Sequence, residues 1–228
     1  FAAALAYGLK VSRENIEHGL RTFTTSFFQA PGRLNVFDEH PFKVIFDYGH
    51  NAHAVGMLAD LAGRLDVRGR RLVVVAGPGD RRDEDIREIA GAVAGRFDHY
   101  ICRRDDTLRG RASDEVPNMI AGVLRERGVP ESSITIIPEE HAAIDAALRM
   151  GQPGDLLLIF ADALTRSWKQ VIKFKPDGAM TAAPVAPRAP VEDADEPVED
   201  AAPDDPSLEA AGFVRDERGL RFVGEAAD

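Results

Sequence analysis

Hydrophobic and polar positions along the chain divide it into short apolar runs that alternate with longer amphipathic segments. The β-favouring apolar runs predict strands at 42–47, 71–76, 99–102, 133–137 and 155–160. Segments with helical spacing predict helices at 52–65, 83–96, 113–127, 139–150 and 164–173. The runs 72–75 and 156–159 are apolar on both faces, as expected of central parallel strands covered on each side. The alternation predicts an α/β fold: a Rossmann-like, mostly parallel sheet with helices on both faces.

The two ends of the chain depart from this alternation. Residues 1–9 predict the end of a helix, and Ser12 predicts the N-cap of a second short one. After Pro176 the sequence is rich in Pro, Ala, Asp and Glu, a composition that predicts disorder over 177–206. The less polar segment 208–223 predicts either a small hairpin or a segment that docks on the body. We therefore divide the chain into three parts, 1–29, 30–176 and a largely disordered acidic tail, 177–228.

Charge and cysteine content narrow the classes of function. The formal net charge is −10, and it belongs to the tail: residues 1–175 hold 24 acidic and 24 basic residues, and residues 176–228 hold 14 and 4. No broad basic surface is expected, which argues against nucleic-acid binding. One cysteine excludes an internal disulfide and fits a reducing, cytoplasmic location. No apolar run reaches the length that spans a bilayer, so no membrane association is predicted.

The segment Asp-Tyr-Gly-His-Asn at 47–51 places polar side chains directly after a predicted strand. In open α/β sheets ligands bind at the carboxyl ends of the strands, where Asp47 could accept a hydrogen bond from a ribose or fix a cation. His50 and Asn51 precede a predicted helix, whose free N–H groups favour anions. The alternative is a plain turn, with Asn51 as N-cap and His50 packed on the surface. The residues alone leave both interpretations open.

This segment resembles the Asp-Tyr-Ala-His-Asn-Pro motif that opens the C-terminal domain of the Mur ligase superfamily. Pro-Gly-Arg-Leu at 31–34 is similar to the element just before that domain, and residues 1–29 resemble the end of the superfamily's central ATPase domain and its linker. The resemblance covers about residues 1–175. Within the superfamily the segments 31–37, 78–86 and 105–111 look most like cyanophycin synthetase. One departure is Ala52, which stands where the motif has proline and which should affect rigidity only.

The resemblance implies an ATP-dependent amide ligase, which activates a carboxylate as an acyl phosphate for attack by an amine. In cyanophycin synthetase the Mur-like half joins arginine to aspartate side chains of a poly-aspartate backbone. ATP, arginine and an acidic peptide acceptor are therefore the expected ligands. Arg33 and Asp47 would contact the nucleotide, with His50 and Asn51 in the same cleft. We also expect a homo-oligomer.

The segment 77–82 follows the second predicted strand and contains Asp80 and Arg81. It fails as a dinucleotide fingerprint, because Arg82 stands at the third glycine position, and it is not a P-loop. Arginines beside a strand end can hold a carboxylate or a phosphate, so we assign Asp80 and Arg81 to substrate binding. The alternative is a turn with Asp83 as helix N-cap and solvated arginines.

The segment 103–111 follows the third predicted strand, and the resemblance implies that it recognises the amino-acid substrate. Asp105 and Asp106 could form a carboxylate fork for a guanidinium, and Arg109 or Arg111 could hold the amino acid's carboxylate. The alternative is a surface cluster whose charges neutralise one another. Paired aspartates argue against glutamate as the amine, because like charges repel.

The sequence contains no Gly-Lys-Ser/Thr phosphate loop, and its histidines lack metal-ligand spacing. The resemblance implies that the phosphate loop and the Mg²⁺ ligands lie in a preceding domain. We therefore assign no metal site and no catalytic residue here, and we expect the 228-residue chain alone to be inactive. Two alternatives stay open: a non-catalytic binding or assembly module, and a Mur- or folylpolyglutamate-type ligase with a different amine.

Overall fold

The structure, a computed structural model, describes residues 1–176 and the strand segments 213–216 and 219–222. The chain forms two units, 1–184 and 185–228. The first unit contains one six-stranded sheet. Its strands are β1 (Asn35–Phe37), β2 (Lys43–Asp47), β3 (Arg71–Val75), β4 (His99–Cys102), β5 (Ile134–Ile136) and β6 (Leu156–Phe160). Their order across the sheet is β1-β2-β6-β3-β4-β5.

Five of these strands run parallel, and only β1 is antiparallel to its neighbour β2. The central strand β6 pairs with β2 on one side, through Ile45 and Leu158, and with β3 on the other, through Val73 and Leu158. All five residues of β6 are buried, which is the reason for its continuous apolar sequence. The parallel, helix-connected sheet confirms the predicted Rossmann-like fold.

Helices cover both faces of the sheet. In chain order they are α1 (Ala2–Gly8), α2 (Arg13–Thr22), α3 (Ala52–Arg64), α4 (Asp83–Val93), α5 (Glu115–Glu126), α6 (Glu140–Met150) and α7 (Leu164–Lys173). One apolar core lies between the sheet and α3, α4 and α5, and a second lies between the sheet and α6 and α7. Alternate strand residues supply the two cores: Leu158 belongs to the first, Leu157 and Ile159 to the second.

The predicted elements match the structure within a few residues at each end, and the prediction for α7 has the observed bounds. The strand β1 was not predicted, because its three residues include a polar asparagine and an exposed valine. They show no alternation of apolar and polar positions that would identify a strand. Ser12 caps α2 as predicted, by accepting a hydrogen bond from the Asn15 N–H. The structure corrects the assignment of Asp83 as N-cap of α4: Arg82 holds that position, because the Asp85 side chain accepts the Arg82 N–H.

The tail contributes one described feature, a two-stranded antiparallel sheet of β7 (Phe213–Asp216) and β8 (Gly219–Phe222). It confirms the hairpin alternative for 208–223. The predicted disorder of 177–206 concerns residues outside the described part. Within the described residues, every helix is too short or too polar to cross a membrane.

Candidate functional site

The parallel topology places four loops at one edge of the sheet, because the carboxyl ends of β2, β6, β3 and β4 point the same way. We name two regions of this edge. The β2 side consists of residues 31–35 and 47–51, and the β4 side consists of residues 77–83 and 103–111. Segment 47–51 follows β2, whereas 77–83 follows β3 and 103–111 follows β4, so the β4 side begins two to three strand spacings from β2, about 10–14 Å. All the predicted site residues lie on one or the other side.

On the β2 side, Asp47 ties two segments together. One carboxylate oxygen, Oδ2, accepts the Leu34 N–H at 2.8 Å, and the other, Oδ1, accepts the Gly49 N–H at 2.7 Å. The Tyr48 N–H donates to the Gly32 carbonyl at 3.0 Å. Only 8% of Asp47 is exposed. The predicted ribose acceptor therefore already organises the turn, although each carboxylate oxygen keeps a second lone pair.

The groups that the β2 side offers to a ligand are aromatic and cationic. Arg33 is exposed, and its guanidinium carbon lies 5.7 Å from the centre of the Tyr48 ring. The Tyr48 and His50 rings are 5.0 Å apart, and the His50 Nδ1 lies 3.2 Å from the Tyr48 carbonyl. Asn51 caps α3 by accepting the Ala54 N–H at 2.9 Å, as its second interpretation predicted. A partly exposed ring beside a guanidinium fits a nucleobase, which can stack on either.

On the β4 side, the two loops interlock through their backbones. A Cβ atom at Gly79 would lie 2.5 Å from the Leu108 carbonyl oxygen, so only glycine permits this approach. Arg111 stabilises the same contact, because its guanidinium donates to the Gly79 and Arg81 carbonyls. The guanidinium also forms ion pairs with Asp83 and Glu115. The guanidinium of Arg111 is thus occupied by the protein itself.

The three acidic residues predicted to bind substrate each contact an arginine of the chain. Arg109 lies between Asp80 and Asp105, at 2.5 and 3.4 Å. Asp106 pairs with Arg166 in the first turn of α7, at 2.8 Å. Asp105 and Asp106 therefore face different partners, and a single fork would require both arginines to move. The remaining predicted residue, Arg81, is exposed, and its side chain forms no ion pair within the described residues.

A buried ion cluster lies beneath the β4 side. Arg103 directly follows β4 and is fully buried; its guanidinium lies 3.1 Å from Glu140 Oε2 and 2.7 Å from Asp162 Oδ2, and it donates to the Phe160 carbonyl. Glu140 also accepts the Asp162 and Ala163 N–H groups, and the Ser167 hydroxyl at 2.5 Å. The cluster joins β4, β6, α6 and α7 at the edge that carries the loops.

The pKa shifts of this cluster follow from its geometry. Burial acts to raise the pKa of Glu140, but Arg103, the Ser167 hydroxyl and two backbone N–H groups outweigh it and lower that pKa. Burial raises the pKa of Asp162 against the attraction of Arg103, because Asp105 and Glu140 add repulsion. On the exposed rim, the hydrogen bond from Arg109 lowers the pKa of Asp80.

Three residues of the site went unpredicted: Arg103, Glu140 and Arg166. Arg103 stands directly after an apolar strand, a position that could have marked it as buried. Glu140 is the second of two adjacent glutamates at a helix start, and the sequence does not say which one turns inward. Asp162, which follows β6, pairs with Arg103, and the N-cap of α7 is Ala163.

Two neutral residues near these elements, Trp168 and Cys102, pack inside the protein. Trp168 packs in the apolar core, with its ring stacked on Phe27 at 5.0 Å. Cys102 is buried, and burial raises the pKa of its thiol to about 12, so it lacks the character of a nucleophile. Within residues 1–176 and the two tail strands, no group of three or more His, Cys, Asp or Glu side chains could hold a metal ion.

The parallel sheet with helices on both faces defines an α/β domain of the Rossmann-like class. A sequence profile described as "Mur ligase, glutamate ligase domain" matches residues 32–163, which is more than half of the chain. The chain belongs to this family.

Two curated relatives illustrate the relationship. The cyanophycin synthetase of Geminocystis herdmanii is 38% identical over 173 residues, which are 75% of this chain and 19% of that protein. The UDP-N-acetylmuramoyl-L-alanyl-D-glutamate–2,6-diaminopimelate ligase of Aquifex aeolicus is 30% identical over 158 residues, 69% of this chain and 31% of the relative. The chain thus spans less than a third of either relative.

Among solved structures, Escherichia coli FolC in complex with DHPP and ADP is similar, with a TM-score of 0.56 and 25% identity. The match covers 75% of this chain and 37% of FolC. The Rossmann-like α/β fold is therefore shared with a part of FolC that is just over a third of that chain.

Proposed function

We propose that this chain is the C-terminal lobe of an ATP-dependent amide ligase of the cyanophycin synthetase type, which adds arginine to aspartate side chains of an acidic peptide. The preceding segment, 1–29, would be the end of the ATPase domain, and 30–176 the lobe itself. ATP and Mg²⁺ would act mainly in that preceding domain. Cytoplasmic location and homo-oligomerisation stay predictions.

The observation that carries the arginine assignment is the behaviour of the three aspartates. Asp80, Asp105 and Asp106 each lie against a guanidinium supplied by Arg109 or Arg166. Carboxylates in a guanidinium-binding geometry are what an arginine substrate needs. The same charges would repel a glutamate side chain.

The β2 side supports the nucleotide assignment. Arg33, Tyr48 and His50 offer a cationic and aromatic surface, and Asp47 holds the two segments that carry them. In this proposal Arg33 and Tyr48 contact the base, and Asp47 accepts from the ribose through its remaining lone pairs. His50 and Asn51 lie at the start of α3, where backbone N–H groups favour an anion.

The experiment is calorimetric titration of the 228-residue chain with L-arginine, L-lysine and L-glutamate. We expect arginine to bind more tightly than lysine, and glutamate to give no heat. Asp106→Asn should weaken arginine binding, whereas Asp38→Asn, an exposed aspartate away from the two sides, should not. Equal affinity of both variants for arginine would contradict the assignment.

A non-catalytic binding module is the second candidate, favoured by how fully the charges of the β4 side are paired within the chain. The two candidates predict different results for the complete reaction, in which a longer form joins arginine to a peptide at the expense of ATP. If a longer form with its phosphate-loop domain forms no arginine–peptide bond from ATP, while arginine still binds, the module stands.

A further inference from the structure

Arg166 occupies an unusual position among the arginines of the β4 side. It comes from α7 rather than from the loops, and its Nη2 atom lies 2.8 Å from Asp106 Oδ2 and 3.2 Å from Glu140 Oε1. Its side chain remains 48% exposed. The guanidinium is therefore close to solvent while it covers the carboxylate that the substrate assignment needs.

Asp106 does not depend on Arg166 for its position. Arg104 donates from Nη1 to the Asp105 and Asp106 carbonyls, at 2.9 and 3.0 Å, and reaches Glu139 from Nη2 at 2.6 Å. Because these bonds hold the backbone of the loop, the backbone at Asp106 stays in place when its ion pair opens.

Glu140 does not depend on Arg166 either. It keeps Arg103, the Ser167 hydroxyl and the N–H groups of Asp162 and Ala163, and its contact with Arg166 is longer, at 3.2 Å, than three of those four. Loss of this one contact leaves the buried carboxylate charge-paired and hydrogen-bonded. Arg166 can therefore swing toward solvent at little energetic cost, which is not true of the buried Arg103.

We propose that Arg166 is an internal competitor for the Asp106 carboxylate, a guanidinium that the guanidinium of an incoming ligand replaces. This inference rests on the proposed function, because it takes arginine as the ligand. Exchange of one guanidinium for another leaves the charge and the hydrogen bonds of Asp106 unchanged. The free energy of opening the Arg166–Asp106 pair is thus subtracted from the binding free energy of every ligand that pairs with Asp106.

The competition lowers affinity, and the preference among ligands comes from the Asp106 carboxylate itself. A lysine side chain offers a compact point charge without the planar fork, so it regains less on replacing Arg166. A neutral side chain regains nothing and leaves Asp106 unpaired. Removal of Arg166 should therefore tighten the binding of arginine and of lysine by the same factor, and the preference for arginine should persist.

The test is a double-mutant cycle on the 228-residue chain. Calorimetry measures the affinity of each variant for the two probes, L-arginine and L-lysine. We expect Arg166→Gln to tighten arginine binding about twofold to fivefold, the range that an exposed ion pair supports, and to tighten lysine binding by the same factor. Asp106→Asn should weaken arginine binding, and Arg166→Gln should add nothing in its presence. Arg125→Gln, which breaks an exposed pair with Glu131, is the control and should leave both affinities unchanged.

The outcomes separate the two proposals. If arginine binds to the wild type but Arg166→Gln leaves its affinity unchanged or lowers it, the competitor is refuted and the proposed function stands. If neither protein binds arginine, the proposed function fails, and the competitor fails with it. Thermal unfolding of each variant, together with Arg166→Lys as a charge-preserving substitution, identifies any loss of binding that comes from misfolding.

Discussion

The two sides of the candidate site use polar residues in different ways. On the β2 side one carboxylate, Asp47, binds two backbone N–H groups and leaves Arg33 and Tyr48 facing outward. On the β4 side nearly every charged side chain is paired with another of opposite sign. In the proposed function the β2 side is thus preorganised for a ligand, whereas the β4 side would admit one by exchanging ion pairs.

The difference has a structural origin. The β2 side is organised by hydrogen bonds between near neighbours in sequence or across one strand pair. The β4 side rests on the buried cluster of Arg103, Glu140 and Asp162, which joins four elements. Preorganised groups bind without rearrangement, whereas exchangeable groups lose the free energy of opening their ion pairs.

The largest expected effect comes from a substitution in the buried ion cluster beneath the β4 side. Glu140→Gln leaves the buried Arg103 without its full counter-charge, and we expect unfolding free energy to fall by about 3–5 kcal/mol. Glu139→Gln is the matched control: it removes an exposed partner of Arg104 and should cost less than about 1 kcal/mol. Urea denaturation of both variants measures the difference, and equal losses would contradict the buried role of Glu140.

The same variant has a defined pH dependence. Because the pKa of Glu140 is lowered in the folded chain, its contribution to stability is present above the ordinary carboxyl pKa and is lost as pH falls through the lowered value. Stability of the wild type should therefore decline more steeply below about pH 4.3 than that of Glu140→Gln. Parallel curves would show that Glu140 is not charged in the folded state.

On the β2 side, Asp47→Asn should cause an intermediate loss of folding stability. Asparagine offers one acceptor oxygen to two N–H groups, and we expect a cost of about 2–3 kcal/mol, together with weaker ADP binding. Arginine binding should not change, because both N–H groups that the Asp47 carboxylate binds belong to the β2 side. Asp38→Asn serves as the control for a lost surface charge. Loss of arginine affinity in Asp47→Asn would show that the two sides are coupled.

A smaller effect is expected where the two loops of the β4 side meet. In Gly79→Ala the new methyl group meets the Leu108 carbonyl, so the loops must separate, at a cost of about 1–2 kcal/mol. Gly63→Ala, at a helical position with nothing within 4 Å, should instead stabilise the chain by up to about 1 kcal/mol. Arginine affinity should fall only in Gly79→Ala. An unchanged arginine affinity in that variant would show that the contact between the two loops does not affect binding.

The fold was predictable because the hydrophobic residues of most strands and helices follow the spacing typical of each kind of element. The continuous apolar run of β6 and the small-residue face of α6 are visible in the sequence, and both occupy the predicted layers. The strand β1 escaped prediction because its place depends on pairing with β2, a contact that three residues cannot encode by period.

The site was predictable only in its location. Strand ends mark where Asp47, Asp80 and Asp105 lie, but not which partners they take. Arg166 is 60 positions from Asp106 along the chain, and the inward turn of Glu140 rather than Glu139 depends on the position of α7. Such pairings arise from packing between elements, which local pattern does not contain.

The most direct test of the account is a two-ligand NMR titration of the 228-residue chain. ADP should shift the backbone amide signals of 32–34 and 47–51, and L-arginine those of 79–81 and 104–109, so that each ligand leaves the other set unmoved. Both ligands should bind at once. If ADP and arginine shift the same amides, or exclude each other, the claim that one sheet edge carries two separate binding regions is contradicted.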